Sequence, residues 1–420
     1  MEFNAYAIVI LVALLGDHLL GVVADVLNLR AAAETVPEEF SDLYDAVAYG
    51  NSQRYLRVRT RFGLVRGGVD LVLLLGFWFL GGFGWVADLA AMVVTGYILR
   101  GLLFIGVLGL ARMLLSLPFS WYSVFVLEER FGFNRTTPGT FVRDLLKNLV
   151  LSVAIGGPLL AGILWLLGRA GPHAWLWCWL AVALFSLFMQ VVYPIWIMPW
   201  FNTFEPLAEG DLRTRLLAMA GSVGFPVRRV QVMDGSRRSG HSNAMVTGVG
   251  RYKRIALYDT LLADHPGDEI VAITAHEVGH WRRRHIWWLT ALHMLHLGVL
   301  FFLLSVFLHH TGLFAAFGVE QSAAAGLVFF GLLYTPVELV LAFGLNAFSR
   351  RCEFEADQFA AETTGLAGAM IAALKRLSVH NLSNLTPHPL TVALEYSHPP
   401  VLARIEALRS TAHPSEETAP

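Results

Sequence analysis

The chain has 420 residues, of which 55% are hydrophobic and only 15% are charged, and its mean hydropathy is +0.56. Soluble domains carry about 25% charged residues, so this balance excludes an ordinary soluble protein and points to a polytopic membrane protein. A net charge of −1 gives no electrostatic case for nucleic acid, and two cysteines exclude a disulfide framework.

Apolar runs of roughly 20 residues, the length that crosses a bilayer, predict seven spans. The first five lie near 6–28, 64–83, 98–118, 148–168 and 174–198. The first holds Asp17 and His18 and has no small-residue cleavage site after it, so it reads as a span and not as a cleaved signal peptide. The third is the least bounded, because apolar sequence runs from Trp85 to Val126 with only Asp88, Arg100 and Arg112 as charged breaks. Asp17, His18, Asp25 and Asp70 sit in or near these runs, where ionisable groups face a bundle interior or a water-filled cavity. Asp25 and Asp70 fit a membrane interface equally well. Trp175, Trp177 and Trp179 read as an interface belt, as do Trp287 and Trp288 further on.

Residues 201–287 are the largest polar segment. Its elements are an amphipathic helix over Pro206–Val223 and short strands at Val230–Met233 and Arg254–Tyr258. Between the strands a turn-rich stretch from Ser236 runs into the apolar Ala244-Met245-Val246. An apolar, helix-compatible run follows from Glu269 and contains His276-Glu277-Val278-Gly279-His280, an H-E-x-x-H pattern. On a helix His276 and His280 stand one turn apart on one face and can hold one zinc ion. Glu277 sits about 100° around the helix, in reach of a metal-bound water as general base. The motif therefore implies metal-assisted peptide hydrolysis. A structural zinc fits less well, since such sites fill all four positions with Cys and His, and Cys178 and Cys352 lie far apart in sequence.

Spans six and seven are expected near 288–308 and 322–344, with Glu338 inside the seventh. A helix over Asn346–Thr364 and a second over Ala367–His380 follow. The Pro-, Asn-, Ser- and His-rich 381–400 reads as loop, Val401–Ser410 as a last helix and 411–420 as a disordered tail. A catalytic zinc needs a third protein ligand, and Glu353 and Asp357 offer carboxylates four apart on one helical face. One can bind the metal while the other accepts the free ring N–H of a ligating histidine; Glu355 would point elsewhere. The competing reading is a solvated charged turn after a span.

Charge orients the chain. The segments 29–61, 119–147 and 199–287 are rich in Arg and Lys, whereas the opposite connections hold Arg169 in one and no basic residue in 309–321. The positive-inside rule puts the basic segments and the H-E-x-x-H in the cytoplasm and the N-terminus outside. The chain then divides into an N-terminal membrane domain with five spans (1–200), a cytoplasmic metalloprotease part (201–287), spans six and seven (288–344), a C-terminal metalloprotease part (345–410) and the tail (411–420).

Several blocks together resemble one family. Thr274-Ala-His-Glu-Val-Gly-His-Trp, with His285 after it, is similar to the metal helix of the zinc-dependent integral-membrane CAAX prenyl proteases. Asn346 to Asp357 resembles that family's glutamate-ligand segment. Phe125 to Asn134, Arg238 to Ala244, Lys253 to Ile255 with Asp259 to Leu261, and Tyr396 to Pro400 through Arg404-Ile405 resemble further blocks in the family's order. The likeness runs from about residue 50 to 408.

The resemblance implies His276, His280 and Glu353 as zinc ligands, Glu277 as base and Asp357 as the carboxylate that orients a ligand. It implies an edge strand that pairs with extended substrate, with Asn243, Ala244 and Met245 as substrate contacts. It makes His398 and Arg404 candidates for stabilising the oxyanion, beside the alternative that Ser397-His-Pro-Pro only caps the last helix. His241 and His388 receive no role, and His285 an orienting or surface one. Where the family often has an aromatic after Asn-Ala, this chain has Met245, a difference that bears on substrate preference.

The implied fold is an all-α polytopic membrane protein, a chambered barrel of about seven helices with a cytoplasmic, gluzincin-like α+β domain. The implied activity is that of a zinc endopeptidase, one Zn2+ per chain, acting on peptide or protein substrate that can be lipidated, in contact with membrane lipid and with no nucleic acid. CAAX-type prenylated peptides are its model substrate. The Arg- and Ala-rich composition suggests a bacterial inner membrane with the site facing the cytoplasm. The alternatives are a broad-specificity protease of membrane-protein quality control and a transport or receptor-like chamber with structural zinc. The intact Glu277 argues against the second, because a structural site needs no base.

Overall fold

The computed structural model describes residues 1–248 and 253–412. Its apolar runs wind into long helices because main-chain polar groups in hydrocarbon must be satisfied within the segment. The first are α1 (Ala5–Ala31), whose first turn is capped by the Asn4 side chain, and α2 (Ala46–Phe79), capped by Asp45. A short α3 (Gly82–Val93) leads to α4 (Tyr97–Glu128), α5 (Pro138–Arg169) and α6 (Gly171–Phe201). The third span therefore extends well beyond 98–118, on to Glu128.

The segment after α6 forms β1 (Phe204–Pro206), α7 (Asp211–Ser222), β2 (Arg229–Met233), β3 (Ala244–Thr247), β4 (Arg254–Tyr258), α8 (Asp259–Asp264) and α9 (Gly267–Arg282). The expected helix over Pro206–Val223 starts five residues late, because Phe204–Pro206 pairs with β2 as a strand. Then come α10 (His285–Phe307), α11 (Thr311–Ala315), α12 (Ala323–Leu333), α13 (Thr335–Thr364), α14 (Ala367–His380), α15 (Pro389–Glu395) and α16 (Val401–Ala412).

Among the described residues six helices are long and apolar enough to cross a membrane, and α12 with α13, bent by 59°, makes up to a seventh if the pair is taken as one span. The bend falls where Pro336 starts a new helix; proline lacks the N–H that a continuous helix would use. Consequently α13 is one 30-residue helix, not a span followed by a separate helix from Asn346. The spans close into a ring: α1 meets α2, α3 links α2 to α4, α4 meets α5, then α6, α10 and α12–α13 follow in order, and α12 and α13 return to α1. Within the most apolar stretch of each single-helix span only 6 to 17% of residues are buried. Helices joined along such narrow seams leave an inner face as open as the outer one, the arrangement of a barrel around a chamber. Two polar pairs lie in the spans: Asp70 with Arg112 at 3.6 Å and Glu338 with His296 at 2.9 Å.

The domain beyond the ring packs differently. Its sheet has the order β1-β2-β4-β3, with β2 and β4 parallel and β3 antiparallel to β4, so β3 is an edge strand. Leu216 of α7, Ile255 and Leu257 of β4, and Ile270, Ala275 and Val278 of α9 form one fully buried core. α9 is buried almost all round, and α13 crosses it at Gly279. A Cβ there would stand 3.0 Å from the Phe359 ring and 3.3 Å from the Ala356 backbone, so any side chain larger than glycine's would have to push those neighbours back by a few tenths of an ångström. Residues 381–400 are not all loop: His388 accepts from Leu390 N and caps α15, which starts at Pro389. The last helix runs to Ala412; the rest of the expected tail lies outside the described residues.

Candidate active site

Helices α9 and α13 bring the sequence candidates together where they cross. Nε2 of His276 and Nε2 of His280 stand 3.2 Å apart. Glu353 approaches both, with Oε1 3.2 Å from His280 Nε2 and Oε2 3.5 Å from His276 Nε2. The two Glu353 contacts use different oxygens, and one ligand atom from each of the three side chains lies within 4.8 Å of the other two, a spacing at which they can share one zinc ion. The chemistry of the donors agrees. Two imidazole nitrogens that face each other cannot both be satisfied without a cation or a proton between them, and the buried Glu353 Oε2 lacks a hydrogen-bond partner. Among the described residues, His276, His280 and Glu353 are the group of such side chains close enough to share a metal ion.

The supports of this cluster are explicit. Asp357 Oδ1 accepts from His276 Nδ1 at 2.8 Å, which leaves Nε2 free of a proton when a cation is held. Arg404, on α16, clamps Asp357 in two-pronged fashion, Nε to Oδ2 at 2.7 Å and Nη2 to Oδ1 at 2.6 Å. Its Nη1 lies 3.5 Å from Glu353 Oε2. The arginine is buried and committed to these carboxylates, and they keep it charged: burial works against the charge, but the hydrogen bonds to Asp357 outweigh it.

Burial also opposes a charge on His276, yet the hydrogen bonds to Asp357 and Glu353 prevail and raise its pKa to about 9. A cation entering the cluster therefore displaces a proton. Burial pushes the carboxyl of Glu277 up, against the pull of His276 and His280, which brings it nearer the range of a working base.

His398 is exposed toward an open cavity, with Nε2 3.4 Å from Glu353 Oε1 and Nδ1 against Ser397 Oγ at 3.0 Å. The cavity, about 900 Å3, runs from His398 and Arg404 to Asp25, Tyr55 and Arg59 on the first two spans. Membrane ring and metal cluster thus share one space.

Asn243 is exposed at the start of β3, Ala244 is buried and Met245 half-buried. The ladder to β4 pairs Ala244 with Leu257 and Met245 with Ala256, which leaves the outer edge of β3 as the free one. Residues before β3 are braced by the loop after α4. His241 stacks on Phe133 at 4.0 Å, its Nδ1 meets Asn381 Oδ1 at 2.9 Å and its Nε2 lies 3.7 Å from Glu128. Arg238 donates to Asp144 at 2.8 Å and to Asn202 at 2.9 Å.

Sequence reasoning missed this brace and missed Glu355. Off the ligand face, Glu355 Oε2 lies 3.1 Å from His285 Nε2. Helical period did place Glu355 off the ligand face; what it lacked was the break between α9 and α10 that folds His285 back.

Two family models match the chain. One, for the CAAX prenyl protease N-terminal region with five membrane helices, covers residues 25–203, and the other, for peptidase family M48, covers 206–412. A CAAX prenyl protease 1 homolog of Arabidopsis thaliana is 36% identical over 89% of this chain and 90% of its own length. CAAX prenyl protease 1 of Saccharomyces cerevisiae is 33% identical over 89% and 88%, and the Homo sapiens homolog 31% over 89% of each. The crystal structure of S. mikatae Ste24p aligns with 96% of this chain and 99% of its own at a TM-score of 0.89 and 31% identity.

Proposed function

Because the chain belongs to the CAAX prenyl protease family of M48 peptidases, and so is an integral-membrane metalloendopeptidase, we propose which of its residues do the work and on what. His276, His280 and Glu353 hold one Zn2+ per chain. The observation that carries this is the meeting of His276, His280 and Glu353 at a buried crossing of two helices, with one ligand atom from each within 4.8 Å of the others. A zinc ion held by these residues would supply Lewis acidity toward the scissile carbonyl and the attacking water.

Glu277 takes the proton of that water and passes it to the leaving amine. Asp357 fixes the tautomer of His276, and Arg404 holds Asp357 and Glu353 in place. Arg404 thereby acts through the carboxylates it clamps, whereas His398, exposed on the cavity side, is the donor placed to meet charge developing on the carbonyl oxygen. Substrate lies along the free edge of β3, its backbone paired with Asn243, Ala244 and Met245, so that register along the strand sets which bond reaches Glu277.

The substrate class is a CAAX-type prenylated peptide. Its lipid suits the apolar helices of the ring, and its peptide end suits the polar cavity that reaches His398. The basic segments put this site on the cytoplasmic side. The inner-membrane assignment rests on composition, since the relatives named above are eukaryotic.

The test is zinc content together with cleavage of a farnesylated CAAX peptide by wild type and Glu277→Gln. One zinc per chain in both, with cleavage by wild type alone, is the expected result. Equal cleavage by the variant would remove Glu277 from the mechanism. Equal rates on an unprenylated membrane peptide would move the substrate class to broad membrane-protein turnover.

A further inference from the structure

The two histidines of the cluster are held in different ways. His276 meets a carboxylate directly through Nδ1, at Asp357. His280 does not. Its Nδ1 faces Nδ1 of His285 at 3.1 Å, and His285 Nε2 faces Glu355 Oε2 at 3.1 Å. The other oxygen of Glu355 accepts from Arg351 Nε at 2.9 Å. We propose that His285 is a positioning residue for His280, one that relays the pull of the Glu355 carboxylate to a metal ligand no carboxylate reaches through Nδ1. The inference rests on the zinc reading of the cluster.

Proton accounting fixes the direction of the relay. When Nε2 of His280 gives its lone pair to a cation, the ring's proton sits on Nδ1 and is donated. His285 Nδ1 must then accept, so the proton of His285 sits on Nε2 and is donated to Glu355. In this assignment each close contact is a hydrogen bond with one donor and one acceptor. A proton on His285 Nδ1 would instead set two N–H groups against each other at 3.1 Å.

The backbone is bent so that this contact exists. On one continuous helix a residue five positions past His280 would lie about 140° away around the axis, too far to meet the same ring. Here α9 ends at Arg282, α10 begins at His285, and Arg284 between them sits at φ 61° and ψ 25°. A non-glycine residue in that left-handed region is strained and persists only where its surroundings over-determine it. The turn brings His285, only 2% exposed, back beneath His280. The same residue opens the sixth span, so the relay also ties the metal helix to the membrane ring.

Three variants of the full-length chain in detergent test this: His285→Ala, His285→Gln and Glu355→Gln. Zinc affinity is read by competition with a chromophoric chelator, kcat and KM with the farnesylated peptide, and unfolding midpoints on zinc-free protein. Orienting partners of metal ligands are typically worth 10–100-fold in affinity or activity, so His285→Ala should lose about that much zinc affinity, with kcat reduced and KM unchanged. His285→Gln, whose amide oxygen can accept and whose amide nitrogen can donate, should recover most of it, and Glu355→Gln should fall between the two. The zinc-free unfolding midpoints of both glutamine variants should match wild type. Wild-type zinc affinity in His285→Ala, or equal losses in the alanine and glutamine variants matched by a lower zinc-free midpoint, would make His285 a packing residue and overturn the inference alone. Wild type that takes up no zinc would overturn the zinc reading and the inference with it.

Discussion

The membrane ring and the domain that holds the metal cluster are built to opposite standards of packing. In the ring, Gly109 of α4 has nothing within 4 Å of where a Cβ would be, and most of each span is open on two sides. In the domain, a methyl group at Gly279 of α9 would press on Phe359 and Ala356, and the residues around it are buried almost without exception. The ring sacrifices contact to enclose volume. The domain uses contact to hold three ligand side chains within reach of one ion. Chemistry that depends on geometry lives in the second region, and one cavity joins it to the first.

The sharpest way to probe that division is to change chemistry without changing packing. Glu277→Gln is nearly isosteric and should lower kcat by 10²–10⁴-fold, the usual worth of a positioned general base, while zinc content stays at the wild-type level. Removal of Arg404 attacks the packed side through its electrostatics. Arg404→Ala leaves Asp357 and Glu353 buried with uncompensated charge and should cost about 3–5 kcal/mol by denaturant unfolding. Arg404→Lys should restore little of it, since a lysine cannot reproduce the two-pronged contact.

Packing itself comes next. Gly279→Val forces side-chain atoms into Phe359 and Ala356 and should destabilise the chain by about 1–3 kcal/mol, with zinc retention falling in step. At the brace, Arg238→Ala removes hydrogen bonds to Asp144 and Asn202 ahead of the substrate strand. KM should rise roughly fivefold, about 1 kcal/mol, at unchanged kcat. The smallest effect belongs to the ring: Gly109→Ala should leave stability and kcat at wild-type values. A large loss there would break the comparison, because it would show the open seams to be as constrained as the domain.

How much of this was legible in the sequence follows from how far each contact reaches. The H-E-x-x-H pair and the Glu353–Asp357 pair are one-turn spacings on single helices, and the folded chain keeps both at the crossing of α9 and α13. Hydrophobic run lengths gave the spans, because a bilayer imposes a length that composition can reveal. The break at Tyr334 was missed since a single proline, Pro336, inside the apolar run 322–344 does not shorten the run. α15 was missed because the Pro, Asn and Ser composition that usually means loop here supplies a cap at His388 and a helix start at Pro389. The pairing of His285 with His280 and Glu355 was missed for a stronger reason: it needs a left-handed Arg284, and no local pattern announces one. The clamp of Arg404 on Asp357 joins residues 47 apart, beyond any periodicity.

The most direct test of the central claim is the zinc content of the purified full-length chain beside His276→Ala, His280→Ala and Glu353→Gln. One zinc per wild-type chain, lost on mild dialysis from each variant, is the predicted result. A wild-type chain without zinc, or variants that all keep one per chain, would contradict the assignment of these three residues.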